Sequence, residues 1–269
     1  MMSRLLRYLT KAAAALTLGA LALIVGYILV RGVPHLRPDL FAVKYTTQNV
    51  SMLPAIVNTL IMTAVSLFIA VPLGVFAAVY LVEYAKRGSR LVALIRITAE
   101  TLSGIPSIIY GLFGLLFFVT ALKMGFSILA GALTLSVMVL PLILRTTEEA
   151  LIAVPDPYRE GAFGLGAGRL RTVFRIVLPA AAPGILAGVI LAVGRIVGET
   201  AALIYTAGTV ANFPKGLLSS GRTLSVHMYA LSSEGLYVDQ AYATAVVLMV
   251  IVFAINALSG FIAKRIAKG

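Results

Sequence analysis

The stretch that decides the fold lies in the middle of the chain, where residues 146–179 read TTEEALIAVPDPYREGAFGLGAGRLRTVFRIVLP. It is too polar to cross a bilayer and too patterned to be a plain loop. Two prolines break the helix that precedes it: Pro155 and Pro157. Asp156 is a suitable N-cap, with Pro157 at the first helical position. The pattern predicts a short helix over residues 158–165. Two glycines end this helix: Gly166 and Gly168.

The predicted short helix is connected to the neighbouring spans by a chain segment on each side, and it can present an apolar face to a partner. The residues on that face are Tyr158, Ala162, Phe163 and Leu165. Small residues allow the partner to approach closely: Gly161, Ala162, Gly164 and Gly166. A helix lying on lipid headgroups, with three arginines toward the phosphates, explains the same pattern: Arg169, Arg171 and Arg175. The residues alone leave both interpretations open.

Composition identifies lipid as the solvent for most of the chain. Of the 269 residues, 60% are hydrophobic and 12% are charged, and the mean hydropathy is +1.01. Soluble domains carry about 25% charged residues. The chain has no cysteine, which excludes disulfides and thiolate chemistry. The net charge of +12 does not indicate nucleic acid, because the basic residues form short clusters between apolar runs.

Six apolar stretches are long enough to span a membrane, which needs about 20 residues. They are Ala12–Val30, a helix within Leu53–Val82, Thr101–Leu122, Met124–Leu144, Val177–Ala207 and Gln240–Ala263. A cleaved signal peptide is the alternative for the first stretch, but its long apolar run favours a retained helix. Pro106 and Pro141 are expected to bend the third and fourth spans. Two glycine pairs are expected to pack the fifth span closely: Gly184 with Gly188, and Gly194 with Gly198.

The distribution of Lys and Arg predicts that both termini are cytoplasmic. Fourteen basic residues then fall inside: Arg4, Arg7, Lys11, Lys86, Arg87, Arg90, Arg96, Arg159, Arg169, Arg171, Arg175, Lys264, Arg265 and Lys268. Six fall outside: Arg31, Arg37, Lys44, Lys123, Lys215 and Arg222. His35 and His227 are isolated and expected in outer loops, so no metal site is predicted. The apolar-rich stretch Leu224–Leu231 either lies on the membrane surface or meets a binding protein.

The spacing around Glu160 resembles the EAA loop of ABC importer permeases. Glu160-Gly161-Ala162 is followed after three residues by Gly166, and after nine more by Ile176-x-Leu178-Pro179. The family pattern is E-A-A-x3-G-x9-I-x-L-P, and the chain departs from it once, with Gly161 for the first Ala. The resemblance implies a coupling helix that docks into a cleft of an ATPase subunit. The residues it assigns to ATPase coupling are Tyr158, Glu160, Gly161, Ala162, Phe163 and Gly166.

Three further stretches resemble the PstA-type phosphate permease: Ala70–Val75 with Tyr80–Ala85, Ser103–Ile108 with Tyr110–Gly114, and Gly194–Ala201. The resemblance covers most of the chain from about Leu53 onward. It implies an all-α integral membrane protein with six transmembrane helices, the type I ABC importer permease (MetI-like) fold. Residues 1–52 then form an N-terminal transmembrane helix and first periplasmic loop, and residues 53–269 form the permease core. The core holds a cytoplasmic coupling loop at 146–180 and a periplasmic loop at 208–239.

The resemblance also implies the partners of the chain. They are a PstC-type second permease, two PstB-type ATPase subunits and a PstS-type phosphate-binding protein, assembled at a bacterial plasma (inner) membrane. ATP and Mg would be bound by the partner ATPase, so the chain needs no cofactor and has no catalytic residue. Membrane lipid is a further partner, and nucleic acid is not. The implied function is that of a multi-pass, non-catalytic permease forming half of a phosphate pathway.

Charges within the spans are candidates for the substrate pathway, because a charge at a helix centre costs about 2.5–3.5 kcal/mol. Arg195 lies in the fifth predicted span with Glu199 at i+4. Arg145 ends the fourth, with Glu148 and Glu149 at i+3 and i+4. An arginine fork suits a phosphate ion, and nearby carboxylates would neutralise the empty site. Structural salt bridges are the alternative for both. In the resembled family, arginines matching Arg145 and Arg195 are associated with transport.

Three other functions stay open. A permease of another oxyanion or small-solute ABC importer would carry the same coupling loop. An ion-coupled secondary transporter would show two related halves and no partner-docking helix, and residues 1–135 and 136–269 show no convincing repeat. A membrane scaffold for phosphate sensing is the third alternative.

Overall fold

The computed structural model describes residues 2–86 and 88–266, and all regular structure in these ranges is helical. Arg87 and Lys268, two of the basic residues used to predict the orientation, lie outside the described residues. The side chains of three others also lie outside the description: Arg4, Lys264 and Arg265.

In the described part of the chain, eleven α-helices follow one another. They are α1 Met2–Gly32, α2 Leu53–Val79, α3 Arg90–Ser103, α4 Ser107–Gly114, α5 Ile128–Ile152, α6 Asp156–Gly164, α7 Arg169–Thr172, α8 Leu178–Val197, α9 Ala201–Ile204, α10 Leu224–Glu234 and α11 Val238–Ile266. Three π-helical turns extend α2, extend α4 and join α7 to α8: Tyr80–Tyr84, Leu115–Ala121 and Val173–Val177. Two short 3-10 turns follow α1: Val33–His35 and Pro38–Phe41.

Six membrane crossings fit this architecture. Five helical segments are long and apolar enough to span: Leu6–His35, Leu53–Tyr84, Ile128–Ile152, Arg169–Val197 and Val238–Phe261. The sixth is a bent pair, α3 with α4 and its π-helical extension, whose two parts meet at 102°. The all-α fold with six spans is therefore confirmed when the bent pair is taken as one crossing.

The prediction of one continuous span over Thr101–Leu122 was wrong, because this charge-free stretch contains the bend. α3 ends at Ser103, and the chain turns before α4 begins at Ser107. Pro106 supplies no backbone N–H and disfavours a helical conformation for the residue before it. The bend expected at Pro106 is thus a full break, whereas Pro141 lies inside the uninterrupted helix α5. The amphipathic helix α3 was not predicted at all.

The fifth predicted span also runs too far. It was expected to continue as one helix to Ala207, but α8 ends at Val197 with Gly198 as its C-cap. A separate four-residue helix, α9, follows the break at residues 198–200. Glycine loses more conformational entropy in a helix than other residues, so a helix end at Gly198 is inexpensive.

Helix α5 lies at the centre of the bundle and packs against α2, α3, α4 and α8. Its inward face is apolar, with Leu135 and Val139 fully buried. Serine hydroxyls join α5 to α2: Ser136 donates to the Ser66 carbonyl at 3.2 Å, and Ser66 donates to the Ala132 carbonyl at 3.1 Å. Such hydrogen bonds and small residues hold membrane helices together where lipid removes the hydrophobic drive.

One of the two predicted glycine pairs packs a helix interface. A Cβ at Gly188 would lie 2.0 Å from Thr146 Oγ1, and one at Gly184 would lie 2.7 Å from Ala150 Cβ, so both glycines let α8 approach α5. A Cβ at Gly194 would meet open space, and one at Gly198 only the carbonyl of its own helix. Among the described residues of this chain, the second pair therefore packs no helix interface.

Within the segment 208–239, helix α10 packs into the protein, whereas Leu218 and Leu236 stay exposed. Helix α10 is capped at its start by Thr223, whose hydroxyl accepts a hydrogen bond from the Val226 N–H, and at its end by Gly235 with φ +71°. Its apolar residues are buried within the chain: Leu224, Val226 and Leu231. Neither alternative considered for Leu224–Leu231, a membrane-surface stretch or a docking site, agrees with this burial.

His227 is likewise not in a loop but fully buried on α10, outside the candidate spans. Its ring packs edge-on against Tyr45, and the Arg222 guanidinium lies 4.9 Å from the centre of the same tyrosine ring. Burial, and then the nearby positive charge of Arg222, lower the pKa of His227 to about 3, opposed only weakly by a backbone contact from Val50. The imidazole is therefore neutral at physiological pH.

We expect the pH dependence of stability to reveal this buried histidine. The pKa of His227 rises from about 3 when folded to roughly 6.5 when unfolded. The unfolded chain then binds the extra proton below pH 6.5, so acidification from pH 6.5 to 5 should lower the unfolding free energy by about 2 kcal/mol. Denaturant titrations of the purified chain in detergent measure this change. His227→Gln should lack this component, and identical pH profiles for both proteins would contradict the assignment.

Candidate functional site

The predicted short helix exists as α6, Asp156–Gly164, at the end of the bundle where α5 finishes. Its N-cap is Pro155, in an extended conformation, rather than Asp156, and Pro157 is the second helical residue rather than the first. After α6 the chain reverses at Gly166, where φ is +79°, and the Ala167 N–H donates to the Ala162 carbonyl at 3.0 Å. Gly166 therefore ends the helix as predicted, whereas Gly168 is the N-cap of α7.

Most of the side chains predicted to face a partner around α6 are exposed. Tyr158 is 57% exposed, Phe163 49% and Leu165 91%. Glu160, Gly161 and Gly166 are exposed as well. Ala162 is the exception, because it is buried where α6 packs back on its own chain, so the prediction that it faces a partner was wrong. Five exposed residues of this segment are together called the outer face of α6: Tyr158, Glu160, Gly161, Phe163 and Leu165. Tyr158 and Phe163 flank opposite sides of the helix and line different cavities.

A buried ion pair attaches α6 to the bundle. Arg159 donates from Nη2 to Glu83 Oε1 at 2.8 Å and from Nε to Glu83 Oε2 at 3.4 Å, which is the fork geometry of arginine–carboxylate pairs. Its Nη1 donates to the Val154 carbonyl at 2.7 Å, and its Nη2 also donates to the Leu151 carbonyl at 2.9 Å. Both charged side chains are largely withdrawn from solvent, at 15% and 9% exposure.

Sequence reasoning missed this pair, although one signal was available. Glu83 is the single acidic residue between Asp39 and Glu100, and it follows a long apolar span. A lone carboxylate at such a position needs a cationic partner. The partner could not be chosen from the sequence, because Arg159 lies 76 residues away.

Two further charge clusters lie beside α6, and they differ in part from the predicted ones. Arg145 pairs with Glu149 at 3.2 Å, as its i+4 spacing predicted, and lies 4.0 Å from Glu100. Glu148 turns away from Arg145 and accepts from Arg96 Nε at 2.6 Å. The two neighbouring glutamates therefore have partners on different helices, because Glu148 binds Arg96 on α3 and Glu149 binds Arg145 on α5 itself.

Arg195 and Glu199 lie beside the break after α8. Arg195 is in the last turn of α8 and partly buried, and Glu199 lies beyond the helix end. The two form no ion pair in the described structure, so the expected i+4 pair is absent because the helix stops between them. Glu199 is buried and its Oε1 accepts from the Ala202 N–H at 3.0 Å, which caps α9. The Ser225 hydroxyl donates to the Glu199 carbonyl at 2.6 Å.

The two breaks in the bundle meet each other. A Cβ at Gly111 on α4 would lie 2.7 Å from Ala202 Cα on α9, so the short helices after the two breaks are in direct backbone contact. Tyr110 bridges the first break, its hydroxyl donating to the Leu102 carbonyl at 2.8 Å. Within the described residues no group of acidic or histidine side chains could hold a metal ion.

Comparison with known proteins identifies the group to which this architecture belongs. Residues 70–268 match the family model of the binding-protein-dependent transport system inner membrane component. The chain belongs to this family of ABC importer permeases. Permeases of this family work with a partner permease, ATPase subunits and a substrate-binding protein, and are not themselves catalytic.

Sequence relatives assign this permease to the PstA-type group. It is 33% identical to the probable ABC transporter permease protein YqgI of Bacillus subtilis, over 92% of this chain and 91% of the relative. It is 33% identical to the phosphate transport system permease protein PstA of Pasteurella multocida, over 85% and 82%. Other phosphate permeases match over less of their own length, 33% in the Mycoplasma pneumoniae relative. The predicted PstA-type resemblance is confirmed.

Solved structures confirm the predicted fold class. The permease superposes on a chain of the MetNI methionine ABC transporter with a TM-score of 0.60 at 20% identity, over 89% of this chain and 96% of that one. A chain of a bacterial alginate ABC transporter gives a TM-score of 0.71 at 17% identity, over 100% and 98%. At these identities the likeness supports the MetI-like fold alone.

We expect Arg159→Gln to loosen α6 without unfolding the bundle. The substitution leaves the Glu83 carboxylate buried without its cation, and breaking such a pair costs about 3 kcal/mol. Hydrogen–deuterium exchange over residues 156–164 should accelerate accordingly, while exchange in α5 stays slow. The matched control is Arg171→Gln, an exposed arginine of the same segment. Equal exchange in both variants would show that the ion pair does not hold α6.

Proposed function

We propose that this permease is the PstA-type transmembrane subunit of an ATP-driven phosphate importer. It forms half of the translocation pathway beside a PstC-type second permease, and two PstB-type subunits bind ATP and Mg. A PstS-type protein delivers phosphate from the opposite side. The proposed setting is a bacterial inner membrane, with both termini and α6 on the cytoplasmic side. The names of the relatives and the three PstA-type stretches support phosphate as the substrate.

The observation that carries the proposal is the outer face of α6. It combines exposed aromatic and leucine side chains with glycines, on a helix fixed to the bundle by the buried Arg159–Glu83 pair. An apolar side chain left in water at the end of a membrane bundle is typical of a partner interface. A helix held at its base by a rigid charge pair can also transmit a displacement. This geometry supports ATPase coupling over the lipid-surface alternative.

For the substrate pathway we propose Arg195 and Glu199 at the break after α8. Broken helices at membrane depth free backbone groups and charges that contact transported ions. Arg195 has no carboxylate bound to it in the described structure, so its guanidinium is available to an oxyanion. Arg145 and Glu148 are proposed for the pathway end near α6, where Arg145 sits between two acidic residues.

Reconstitution tests the whole proposal. The four-component importer in proteoliposomes should hydrolyse ATP faster when the phosphate-loaded binding protein is present. Stimulation by sulfate or molybdate with their binding proteins, and not by phosphate, would favour another oxyanion permease. Failure of this chain to co-purify with an ATPase subunit would favour an ion-coupled transporter instead.

Truncation of the outer face of α6 should weaken ATPase assembly. We expect Phe163→Ala to remove a buried anchor at the docking cleft and to lower affinity roughly 30-fold, as central aromatic residues of interfaces do. Pull-down of the ATPase by the tagged permease measures this loss. Leu170→Ala serves as control, since Leu170 is 65% exposed but lies on α7. Undiminished capture by Phe163→Ala would place the docking surface elsewhere.

Neutralisation of Arg195 should stop transport while leaving the assembly intact. We expect Arg195→Gln to abolish phosphate uptake by proteoliposomes, because a neutral amide cannot replace the charge-assisted fork that receives the anion. The same preparation should still contain both permeases and the ATPase. Arg7→Gln, an exposed arginine on α1, is the matched control and should transport normally. Wild-type uptake by Arg195→Gln would remove this residue from the pathway.

A further inference from the structure

Two adjoining cavities open beside α6, between the end of α2 and the start of α3. The first, of about 460 Å³, is lined by polar residues that include Glu83, Lys86 and Arg169. The second, of about 560 Å³, is lined by Tyr80, Leu91 and Ile95 among others. Both are lined by Ala85, Lys86, Gly88 and Val92, so the two cavities share one wall.

Among the described residues, the charges that line the first cavity are not balanced by one another. Arg159 and Glu83 satisfy each other, and Arg96 is bound to Glu148. Asp156, which also lines the cavity, is largely exposed and contacts Arg159 at 3.4 Å. Two cations are then left over, Lys86 and Arg169, neither of which forms an ion pair with a described residue. Arg169 is fixed only from one side, where its guanidinium lies 5.4 Å from the centre of the Tyr84 ring.

The second cavity continues onto an apolar surface. Helix α3 carries three exposed aliphatic residues at helical spacing: Leu91, Leu94 and Ile97, at 57%, 61% and 63% exposure. The α2 span ends at Tyr84 and the α8 span begins at Arg169, so both cavities lie at the level where two membrane crossings end. Unpaired cations thus stand directly beside an apolar groove at the edge of the bilayer.

We propose that these cavities bind one anionic phospholipid, with its phosphate on Lys86 and Arg169 and an acyl chain along Leu91 and Ile95. The arginine fork and the lysine ammonium both suit a phosphodiester. Basic pockets between membrane helices hold anionic headgroups in this way. A free phosphate ion would use the same two cations but would gain nothing from the groove. The apolar groove therefore selects the lipid as the occupant.

The absence of tryptophan from the chain allows a direct test. Leu91→Trp places a single tryptophan in the groove of the full-length permease, reconstituted alone in phosphatidylcholine nanodiscs. Brominated phosphatidylglycerol at low mole fraction should quench this tryptophan as if enriched ~10-fold over brominated phosphatidylcholine, given two cations near the headgroup. Leu116→Trp, 68% exposed on the other arm of the same bent crossing, reports ordinary lipid contact and should be quenched equally by both lipids.

Charge variants decide whether the two cations cause the enrichment. In the Leu91→Trp background, Lys86→Gln with Arg169→Gln should abolish the preference. Lys44→Gln with Lys215→Gln removes the same charge from exposed sites elsewhere and should leave it unchanged. Lys86→Gln alone should lower the preference severalfold, and it removes no contact in the described structure, so misfolding cannot explain that loss.

Three results would overturn the proposal. One is equal quenching of Leu91→Trp by the two lipids. The second is a preference that survives loss of both cations. The third is loss of the preference when millimolar inorganic phosphate is added at constant ionic strength, which would assign the cations to a free anion rather than to a lipid.

Discussion

The ion pair between Arg159 and Glu83 is the contact on which the arrangement around α6 depends. Two charges held away from water are stable only together, because either one alone would cost several kcal/mol. Arg159 binds the Glu83 carboxylate at the end of α2 and, with its other N–H groups, the Leu151 and Val154 carbonyls at the end of α5. One side chain therefore joins α6 to both helices, and α2 packs along α5. Because the contacts are directional, a tilt of α6 would separate buried charges, and this cost couples α6 to the ends of α2 and α5.

The two helix breaks leave backbone donors and acceptors unpaired inside the bundle, which a continuous helix does not. An unbroken span hides every backbone group in its own hydrogen bonds, whereas a helix end leaves donors and acceptors unpaired. At the break after α8 the Glu199 carboxylate satisfies a free N–H of α9, and its carbonyl is satisfied by Ser225 from α10. The break before α4 is closed by the Tyr110 hydroxyl. Polar and charged groups are thus kept inside an apolar bundle at a modest cost, and at the break after α8 Arg195 has no carboxylate partner among the described residues.

Much of this architecture could be predicted from the sequence, and the predictions that were wrong share one cause. The spans α1, α2, α5 and α11 could be located from the spacing of charges, because a bilayer needs a long uncharged run. α6 could be located from its prolines and glycines, which act locally. The absence of charge, however, is the same in a straight helix and in a broken one, so the breaks at Pro106 and Gly198 were missed. The partners of Glu83 and Glu148 lie 76 and 52 residues away, and only the packed helices bring them together. The burial of α10 was missed for the same reason.

The two ends of the bundle are stabilised by different interactions, exposed ion pairs at one end and a buried hydrogen bond at the other. The proposed function depends on this difference. Beside α6, exposed ion pairs such as Arg145–Glu149 are worth at most about 1 kcal/mol, so a docking partner can rearrange them cheaply. At the opposite end α10 is sunk into the bundle, where the Leu224 N–H donates to Thr59 Oγ1 at 2.8 Å. A buried hydrogen bond has no water to replace it and is costly to lose. We therefore expect a displacement of α6 to be absorbed at the two helix breaks rather than at that end, and Arg195 lies at one of these breaks.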